Sequence, residues 1–358
     1  MKASNNGVDL RRSSEAHILI QIEQLVQQAC LHDKAIGIAP GLSNIGQTIL
    51  PSVMRTVVDK LEVFLSIYNP GLSYGETVQA FWNACEEFDF INAKGMVKGA
   101  PSLGFWMDMD RFRLYDFLYQ IRRYATSQAC LRKKADRLYE SKQNLQSIND
   151  YVDALRARYS KLLVVRTDLH FDLKSLAPLS ISNVYLQLDK VLEVLKKREK
   201  VFENAVGNIW RVEQGNRRGY HIHLVVFYNG QLAKSPEFKS HEIGSFFQWD
   251  IMGGSGWYYS PHDDRKKFKA KGKYGLGMAH HANDALYENV MGVAGYLADP
   301  EKQDQYLRAK PMRRRALGMG LAPTISIGRG RPRNQLPTLV DGDALVPSPL
   351  EQEIDKAS

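Results

Sequence analysis

Apolar residues recur at helical spacing through the first 157 residues of the chain. The segments with this spacing are Ile18–Cys30, Val53–Tyr68, Thr77–Phe90 and Phe112–Leu131. The polar and charged segment Asp136–Arg158 continues them as an exposed helix. These patterns predict a helical N-terminal region over residues 1–157, and this region carries no recognisable chemical motif.

The pattern changes at Leu162, where the run LLVVRTDL is apolar and β-branched and predicts a strand. Further strands are predicted over Ile209–Gln214 and Tyr220–Tyr228, and helices over Val184–Phe202, His241–Ile251 and Asp284–Ala298. This succession predicts an α+β fold with a central antiparallel sheet and helices packed on one face. We assign residues 158–328 to this domain. Residues 329–358, which are Pro-containing and weakly acidic, are predicted to form a disordered tail.

Composition narrows the class of protein. The chain is 44% hydrophobic and 24% charged, as expected of a globular protein, and its net charge of +9 permits an anionic partner. Cys30, Cys85 and Cys130 lie far apart, so neither a disulfide framework nor a cysteine zinc site is predicted. The N-terminus has no apolar signal-peptide core, and no apolar run is long enough for a membrane span. We therefore expect a cytoplasmic protein with no membrane partner.

The triplet His221-Ile222-His223 is the most informative local motif. Residues two apart on a strand share a face, so both imidazoles can reach one ion. A five-residue turn over Gly215–Gly219 places Glu213 directly opposite His221 in a hairpin. Two imidazoles and one carboxylate that leave positions open are typical of a catalytic metal site. The alternative is a polar strand edge on which Glu213 only hydrogen-bonds to His221.

Tyr296 is the candidate nucleophile. It lies at the edge of the apolar stripe of the helix predicted over Asp284–Ala298. Each glycine costs a helix about 1 kcal/mol, so two glycines near one tyrosine need an explanation. We expect Gly292 and Gly295 to clear space in which a phosphate or backbone can approach Tyr296. A tyrosine can attack phosphorus when a metal or base assists it. The alternative is a tyrosine whose ring packs while its hydroxyl meets water.

Three stretches of the second half resemble the motifs of one enzyme superfamily. YSKLLVVRTDLHF, WRVEQGNRRGYHIHLVVFYNG and GYLADPEKQDQYL are similar to the three motifs of the HUH (His-hydrophobic-His) endonucleases. Within that superfamily they resemble the inovirus replication initiators of filamentous phages and the YagK/YfjJ-type prophage proteins. The resemblance spans about Tyr159 to Gly320, and motifs in this order are more specific than any one alone.

The resemblance implies a ferredoxin-like HUH domain that nicks and rejoins single-stranded DNA through a covalent 5′-phosphotyrosine, for rolling-circle replication. His221, His223 and Glu213 would bind Mg²⁺ or Mn²⁺. Tyr296 would be the nucleophile, with Tyr306 in reserve. The partners would be single-stranded DNA at a replication origin and a host helicase, with no nucleotide cofactor.

One position departs from the family pattern. The tyrosine motif usually has a lysine three residues after the tyrosine, and this sequence has Asp299 there. The nearest lysine is Lys302, which would take over the contact with the scissile phosphate. Because of this departure, a DNA-binding regulator with a degenerate HUH site is one alternative. The other alternative is a metal-dependent nuclease that uses water as the nucleophile. A covalent protein–DNA adduct would support the tyrosine, and cleavage without an adduct would support water.

Basic and aromatic residues around these motifs are the candidate DNA contacts. Cationic grooves with aromatic platforms hold single strands with little sequence readout. A solvated surface is the alternative for any charge run. The DNA-binding candidates are Arg166, Trp257, Tyr259, Lys266, Lys267, Lys269, Lys271, Lys273, Arg313, Arg314 and Arg315, together with Asp168. Asp168 closes the first motif, and the resemblance places it near the site or the DNA.

Overall fold

A computed structural model describes most of the chain. The described residues are 14–31, 44–101, 110–172, 179–216, 218–270, 275–298 and 306–323. Several predictions fall outside them: the tail over 329–358, Lys271, Lys273, Asp299 and Lys302. All described residues belong to one compact unit.

Helices fill most of the first half of the chain and connect the strands of the second. The helices are α1 Glu15–Leu31, α2 Asn44–Ser66, α3 Glu76–Glu87, α4 Asp110–Ala125, α5 Gln128–Arg158, α6 Ile181–Lys197, α7 Pro236–Ser245, α8 Arg265–Ala270 and α9 Asp284–Gly295. Short helical turns follow at Lys200–Phe202, Phe246–Ile251 and Tyr296–Ala298. Within the described ranges, no helix combines the length and the apolar character that crossing a bilayer requires.

The strands form one large and one small sheet. They are β1 Leu72–Tyr74, β2 Lys161–Phe171, β3 Ala205–Gly215, β4 Gly219–Asn229, β5 Gly256–Tyr259, β6 Gly277–His280, β7 Ala309–Pro311 and β8 Leu317–Met319. The large sheet has the order β5-β2-β4-β3-β8, and β6 pairs with the remaining length of β2. All of its pairs are antiparallel, so the predicted α+β class with a central antiparallel sheet is confirmed.

The prediction that helices pack on one face only is wrong. Ile222 and Leu224 of β4 face a core built with α1, α6 and α7, whereas Val225 and Phe227 face a second core built with α5 and α9. The physical reason is that β2 and β4 are apolar at both odd and even positions. Strands of this kind need cover on both faces.

Four predicted helices are interrupted. The helix predicted over Val184–Phe202 ends at Lys197, because Arg198 adopts a left-handed φ of 57°, and the helix predicted over His241–Ile251 spans the end of α7 and the turn Phe246–Ile251.

The helix predicted over Phe112–Leu131 divides into α4 and α5, because the side chain of Ser127 accepts a hydrogen bond from Cys130 N at 3.3 Å and begins a new helix. The helix predicted over Asp284–Ala298 changes after Gly295 into a tighter turn. Tyr296 is the first residue of this turn.

Helix α1 is bonded to the β3–β4 hairpin across about 200 residues of sequence. The Gln214 amide donates to the carbonyl of Ala16 at 2.6 Å, and the Tyr220 hydroxyl donates to Glu15 at 2.8 Å. Apolar residues of α1 and β4 also share one hydrophobic core. The division into domains at residue 157 stays a prediction, while the described helices before it and the sheet after it are packed together.

Candidate metal and nucleophile site

The β3–β4 hairpin has the predicted register. Glu213 pairs directly with His221, and the strands close at the pair Gly215–Gly219. Gly219 adopts a left-handed φ of 62°, which glycine tolerates without strain, and this allows the short turn. Loop length fixes the register of a hairpin, so the convergence of Glu213, His221 and His223 follows from local sequence.

These three side chains form a buried cluster that can hold a metal ion. Their ligand atoms all lie within 4.8 Å of one another. Oε2 of Glu213 is 3.0 Å from Nε2 of His223 and 3.5 Å from Nε2 of His221. All three residues are at most 5% exposed. We refer to them as the Glu-His-His triad.

Both imidazoles are held by polar contacts on the side away from Glu213. Nδ1 of His221 lies 3.2 Å from the carbonyl oxygen of Gly219, and Nδ1 of His223 lies 2.7 Å from Oδ1 of Asp168. Nδ1 of His223 also lies 3.0 Å from Nη2 of Arg166, so this nitrogen sits between a carboxylate and a guanidinium. Nε2 of each imidazole faces the carboxylate of Glu213. This is the arrangement in which metal-binding histidines are usually held, so the donor set fits a divalent ion.

Asp168 and Arg166 form the layer behind His223. The Arg166 guanidinium donates to both carboxylate oxygens of Asp168, at 2.8 and 3.0 Å. Burial alone would raise the pKa of Asp168, but the positive charge of Arg166 and hydrogen bonds from both neighbours lower that pKa well below its usual value. The sequence-based prediction assigns Arg166 to DNA binding and places Asp168 near the site or the DNA. In the structure the Asp168 carboxylate is buried and bonded to Arg166 and His223.

Arg211 joins the site although sequence reasoning missed it. Its Nε lies 3.2 Å from Oε1 of Glu213, and its Nη1 donates to the carbonyl oxygen of Leu297. One guanidinium therefore contacts both the triad and the turn that begins with Tyr296. Its position two residues before Glu213, on the same strand face, was the available signal.

Tyr296 stands at the edge of this group. Its side chain is 43% exposed, and the guanidinium carbon of Arg166 lies 5.4 Å from the centre of its ring. The space around Gly292 is open, as predicted, but Gly295 is packed against Leu145. The glycine at 295 is therefore explained by helix packing and not by an approach path to the phenol.

Tyr306 occupies a different environment. Its hydroxyl donates to the carboxylate of Glu23, and its ring lies between the guanidinium groups of Arg137 and Arg308, at 4.3 and 4.9 Å. Burial, followed by the negative charge of Glu23, raises the pKa of Tyr306 well above its usual value. The hydroxyl is thus already bonded within the fold.

A family comparison matches the region that contains this site. The model of the YagK/YfjJ C-terminal domain matches residues 122–306, just over half of the chain. The chain belongs to the YagK/YfjJ family. Comparisons with curated proteins and with solved structures found no significant match. The triad, Tyr296 and both arginines that link them lie within the YagK/YfjJ region.

A stack of three rings extends from the triad to the edge strand of this YagK/YfjJ domain. The ring of His170 is nearly parallel to that of Trp257, with centroids 3.8 Å apart, and lies 5.4 Å from that of His221. Burial, followed by the neighbouring His221, lowers the pKa of His170 to about 3. Neither ring nitrogen of His170 has a hydrogen-bond partner among the described residues. We call these three rings the ring stack.

The aromatic residues predicted to bind DNA are partly engaged by the fold. One ring face of Trp257 covers His170, and the side chain remains 43% exposed. The hydroxyl of Tyr259 donates to Asp264 at 2.6 Å, and burial together with this bond raises its pKa to about 12. Trp257 therefore offers the freer surface for a base.

The described basic candidates differ in their exposure. Lys266, Lys267 and Lys269 are exposed on α8, which follows β5. Arg313 and Arg315 are also exposed. Arg314 is ion-paired with Asp189 and stacks over Tyr185 at 5.0 Å. Arg314 thus supports the fold through Asp189 and Tyr185, whereas the three α8 lysines are exposed on the helix that follows β5.

Proposed function

We propose that this YagK/YfjJ family member is a metal-dependent HUH endonuclease that nicks and rejoins single-stranded DNA through Tyr296. One observation carries the proposal: the Glu-His-His triad and the turn that begins with Tyr296 share a site. Arg166 contacts Asp168, the carboxylate behind His223, and lies over the ring of Tyr296. Arg211 contacts Glu213 of the triad and the carbonyl of Leu297 in the tyrosine turn. A buried ligand cluster beside a half-exposed phenol suits nucleophilic attack on a phosphodiester.

The order of elements supports a ferredoxin-like HUH domain. The succession β2-α6-β3-β4-α7-β5 is a βαββαβ unit, and its four strands lie in the order β5-β2-β4-β3. Helices α6 and α7 contribute to the core on one face. The triad is on the opposite face, because His221 and His223 alternate with the core residue Ile222.

The donor set indicates the kind of ion. Two imidazoles and one carboxylate would hold Mg²⁺ or Mn²⁺, and imidazoles also accept Zn²⁺ and Ni²⁺ in vitro. When bound, the ion would polarise the scissile phosphate and neutralise developing charge, which is worth several kcal/mol. His221 and His223 would supply Nε2 and Glu213 a carboxylate oxygen.

The reaction is a transesterification. The hydroxyl oxygen of Tyr296 forms a bond to the scissile phosphorus while the bond from phosphorus to the 3′ oxygen breaks. The tyrosine loses its proton, and the leaving 3′ oxygen gains one. Arg166, above the ring, stabilises the negative charge that develops on the phenol. The products are a 5′-phosphotyrosine and a free 3′-OH, and the reverse attack reseals the strand.

The surfaces beside the site suit a single strand. The outer face of Trp257 can stack a base, and Lys266, Lys267 and Lys269 can neutralise phosphates. In the cytoplasm of a bacterial host, the released 3′-OH would prime rolling-circle replication of a phage or prophage at its origin. A host helicase would separate the strands.

The test uses a pool of labelled 40-nucleotide single strands of random sequence with Mn²⁺. Wild-type protein is expected to form a covalent adduct that survives denaturing electrophoresis. Tyr296→Phe and His223→Ala should abolish the adduct. Tyr306→Phe should retain it, because that hydroxyl is bonded to Glu23.

Other outcomes identify the alternatives. An adduct that survives in Tyr296→Phe and disappears in Tyr306→Phe would overturn the assignment of the nucleophile. Cleavage without any adduct would indicate attack by water. Binding without cleavage in Mg²⁺, Mn²⁺, Zn²⁺ and Ni²⁺ would favour a DNA-binding regulator that has lost catalysis.

A further inference from the structure

A cleft of about 280 Å³ lies between α5, β1 and the segment that carries β7 and β8. We call it the α5 cleft. This volume is close to the lower end of the range for small-ligand pockets, roughly 300 Å³, so the cleft has room for about one nucleotide. Its α5 wall is formed by Lys133, Asp136, Arg137, Glu140, Ser141 and Asn144. Neither metal binding nor nucleophilic attack requires these residues.

The α5 cleft borders the proposed reaction site. Arg211 lines the cleft, and the same side chain contacts Glu213 of the triad at 3.2 Å and the carbonyl of Leu297. Arg211 is therefore shared by the cleft and the proposed reaction site.

The α5 cleft and the ring stack lie on opposite sides of the triad. Within the sheet, β3 and β8 are on one side of β4, and β2 and β5 are on the other. Arg211 on β3 and Leu317 on β8 line the cleft, whereas Trp257 is on β5. A strand whose scissile phosphate lies at the triad can thus reach Trp257 in one direction and the cleft in the other.

The chemistry of the α5 cleft fits a nucleoside with its flanking phosphates. Lys133 and Lys310 supply positive charge of the kind that contacts phosphates. Asp136, Glu140 and Asn144 lie on one stripe of α5, at helical spacing. Carboxylates accept from the amino group of cytosine, and asparagine can bond to adenine in a bidentate manner. Acidic groups would disfavour a bare anion, but they suit the edge of an unpaired base.

Building on the proposed nicking function, we propose that the α5 cleft binds one unpaired nucleotide of the substrate strand. This nucleotide lies on the side of the scissile phosphate opposite to Trp257. Its base is read by Asn144 with the neighbouring carboxylates, so the cleft sets a sequence preference at one position.

The first test measures binding without chemistry. Fluorescein-labelled 20-nucleotide random single strands are titrated in EDTA at fixed salt, and anisotropy is recorded. Lys133→Glu is compared with Lys134→Glu, because both lysines are exposed on α5 and only Lys133 lines the cleft. Reversing a phosphate-contacting charge is expected to weaken binding about tenfold for Lys133→Glu and less than about twofold for Lys134→Glu.

The second test measures base preference. Strands captured covalently in Mn²⁺ from the random pool are sequenced for wild type, Asn144→Ala and Gln143→Ala. Asn144→Ala is expected to flatten the preference at one position close to the cleavage point, on the side away from the base stacked on Trp257. Gln143→Ala, outside the cleft on the same helix, should keep the wild-type pattern.

The outcomes separate this inference from the nicking proposal. Equal affinities for the two lysine variants would overturn the cleft as a binding site, whether or not adducts form. An unchanged base preference in Asn144→Ala would overturn its role in reading the base. A tenfold loss confined to Lys133→Glu, in a protein that forms no adduct, would support the cleft and reject nicking.

Discussion

Replacing Asp168 by asparagine tests the layer that orients the triad. The substitution keeps the shape of the side chain and removes its charge. The Asp168 carboxylate accepts two hydrogen bonds from Arg166 and one from His223. An asparagine has one acceptor oxygen and presents an NH₂ group where the second oxygen was, so one of these donors loses its partner.

The expected loss has two parts. Removing the partner of a metal-binding imidazole costs about 10–100-fold in metal affinity, or about 1.4–2.8 kcal/mol. Breaking a buried ion pair by neutralising one member costs about 3–5 kcal/mol of folding stability, because the other charge stays buried. The side chains of Arg166 and Asp168 are only 14% and 4% exposed, so the pair qualifies as buried.

Mn²⁺ titration calorimetry measures the first part and urea unfolding the second. The double variant Arg166→Met/Asp168→Asn removes the stranded charge, so it should regain stability without regaining metal affinity. Asp250→Asn is the matched control: its pair with Lys200, at 3.1 Å, is about half exposed and worth at most about 1 kcal/mol. A folded Asp168→Asn variant with an Mn²⁺ Kd within twofold of wild type would refute the orienting role.

Three further predictions concern buried polar groups. Tyr306→Phe leaves the carboxylate of Glu23 without one of its donors and should cost about 1–3 kcal/mol in urea unfolding; no loss would contradict the contact. Burial lowers the pKa of His262 to about 4, below its unfolded value, so stability present above about pH 6.5 should be lost as pH falls to about 4. His262→Gln should remove this dependence, by about 3 kcal/mol, and an unchanged pH profile of unfolding would count against it. His170→Phe should raise stability by about 1–2 kcal/mol, because it replaces two unpartnered ring nitrogens and keeps the contact with Trp257; a decrease would show that those nitrogens are hydrogen-bonded in solution.

The part of the site that local sequence specifies could be predicted. Glu213, His221 and His223 lie on one hairpin, whose short turn determines the register, and whose alternation determines the face. Both rules act over fewer than a dozen residues. The meeting of these three side chains therefore needed no knowledge of the rest of the fold.

The supporting layer could not be predicted, because it depends on a distant pairing. Asp168 lies opposite His223 only because β2 pairs with β4, and nothing in the sequence near Asp168 sets that register. The family resemblance placed Asp168 only near the site or the DNA and did not identify His223 as its partner. The contact between Arg211 and Leu297 joins residues 86 positions apart and carries no local signal either.

The cover on both faces of the large sheet could have been predicted from the sequence. The run Leu162–Val165 is apolar at four consecutive positions, and all four side chains are buried. Continuous apolar runs are typical of strands covered on both faces, and alternation is typical of strands with one wet face. The run therefore indicates that both faces of the sheet are covered, while only the structure shows that α5 and α9 cover the second face.

The bonds between α1 and the hairpin bear on which stretch of the chain can fold by itself. A fragment beginning at residue 122, where the YagK/YfjJ match starts, would lack Glu15 and Ala16. The Tyr220 hydroxyl and the Gln214 amide would lose their partners, at about 1–3 kcal/mol each, and the core under β4 would lose the apolar side chains that α1 contributes. The matched region alone would therefore lack part of the packing that supports the hairpin, since α1 forms one wall of the core beneath the Glu-His-His triad.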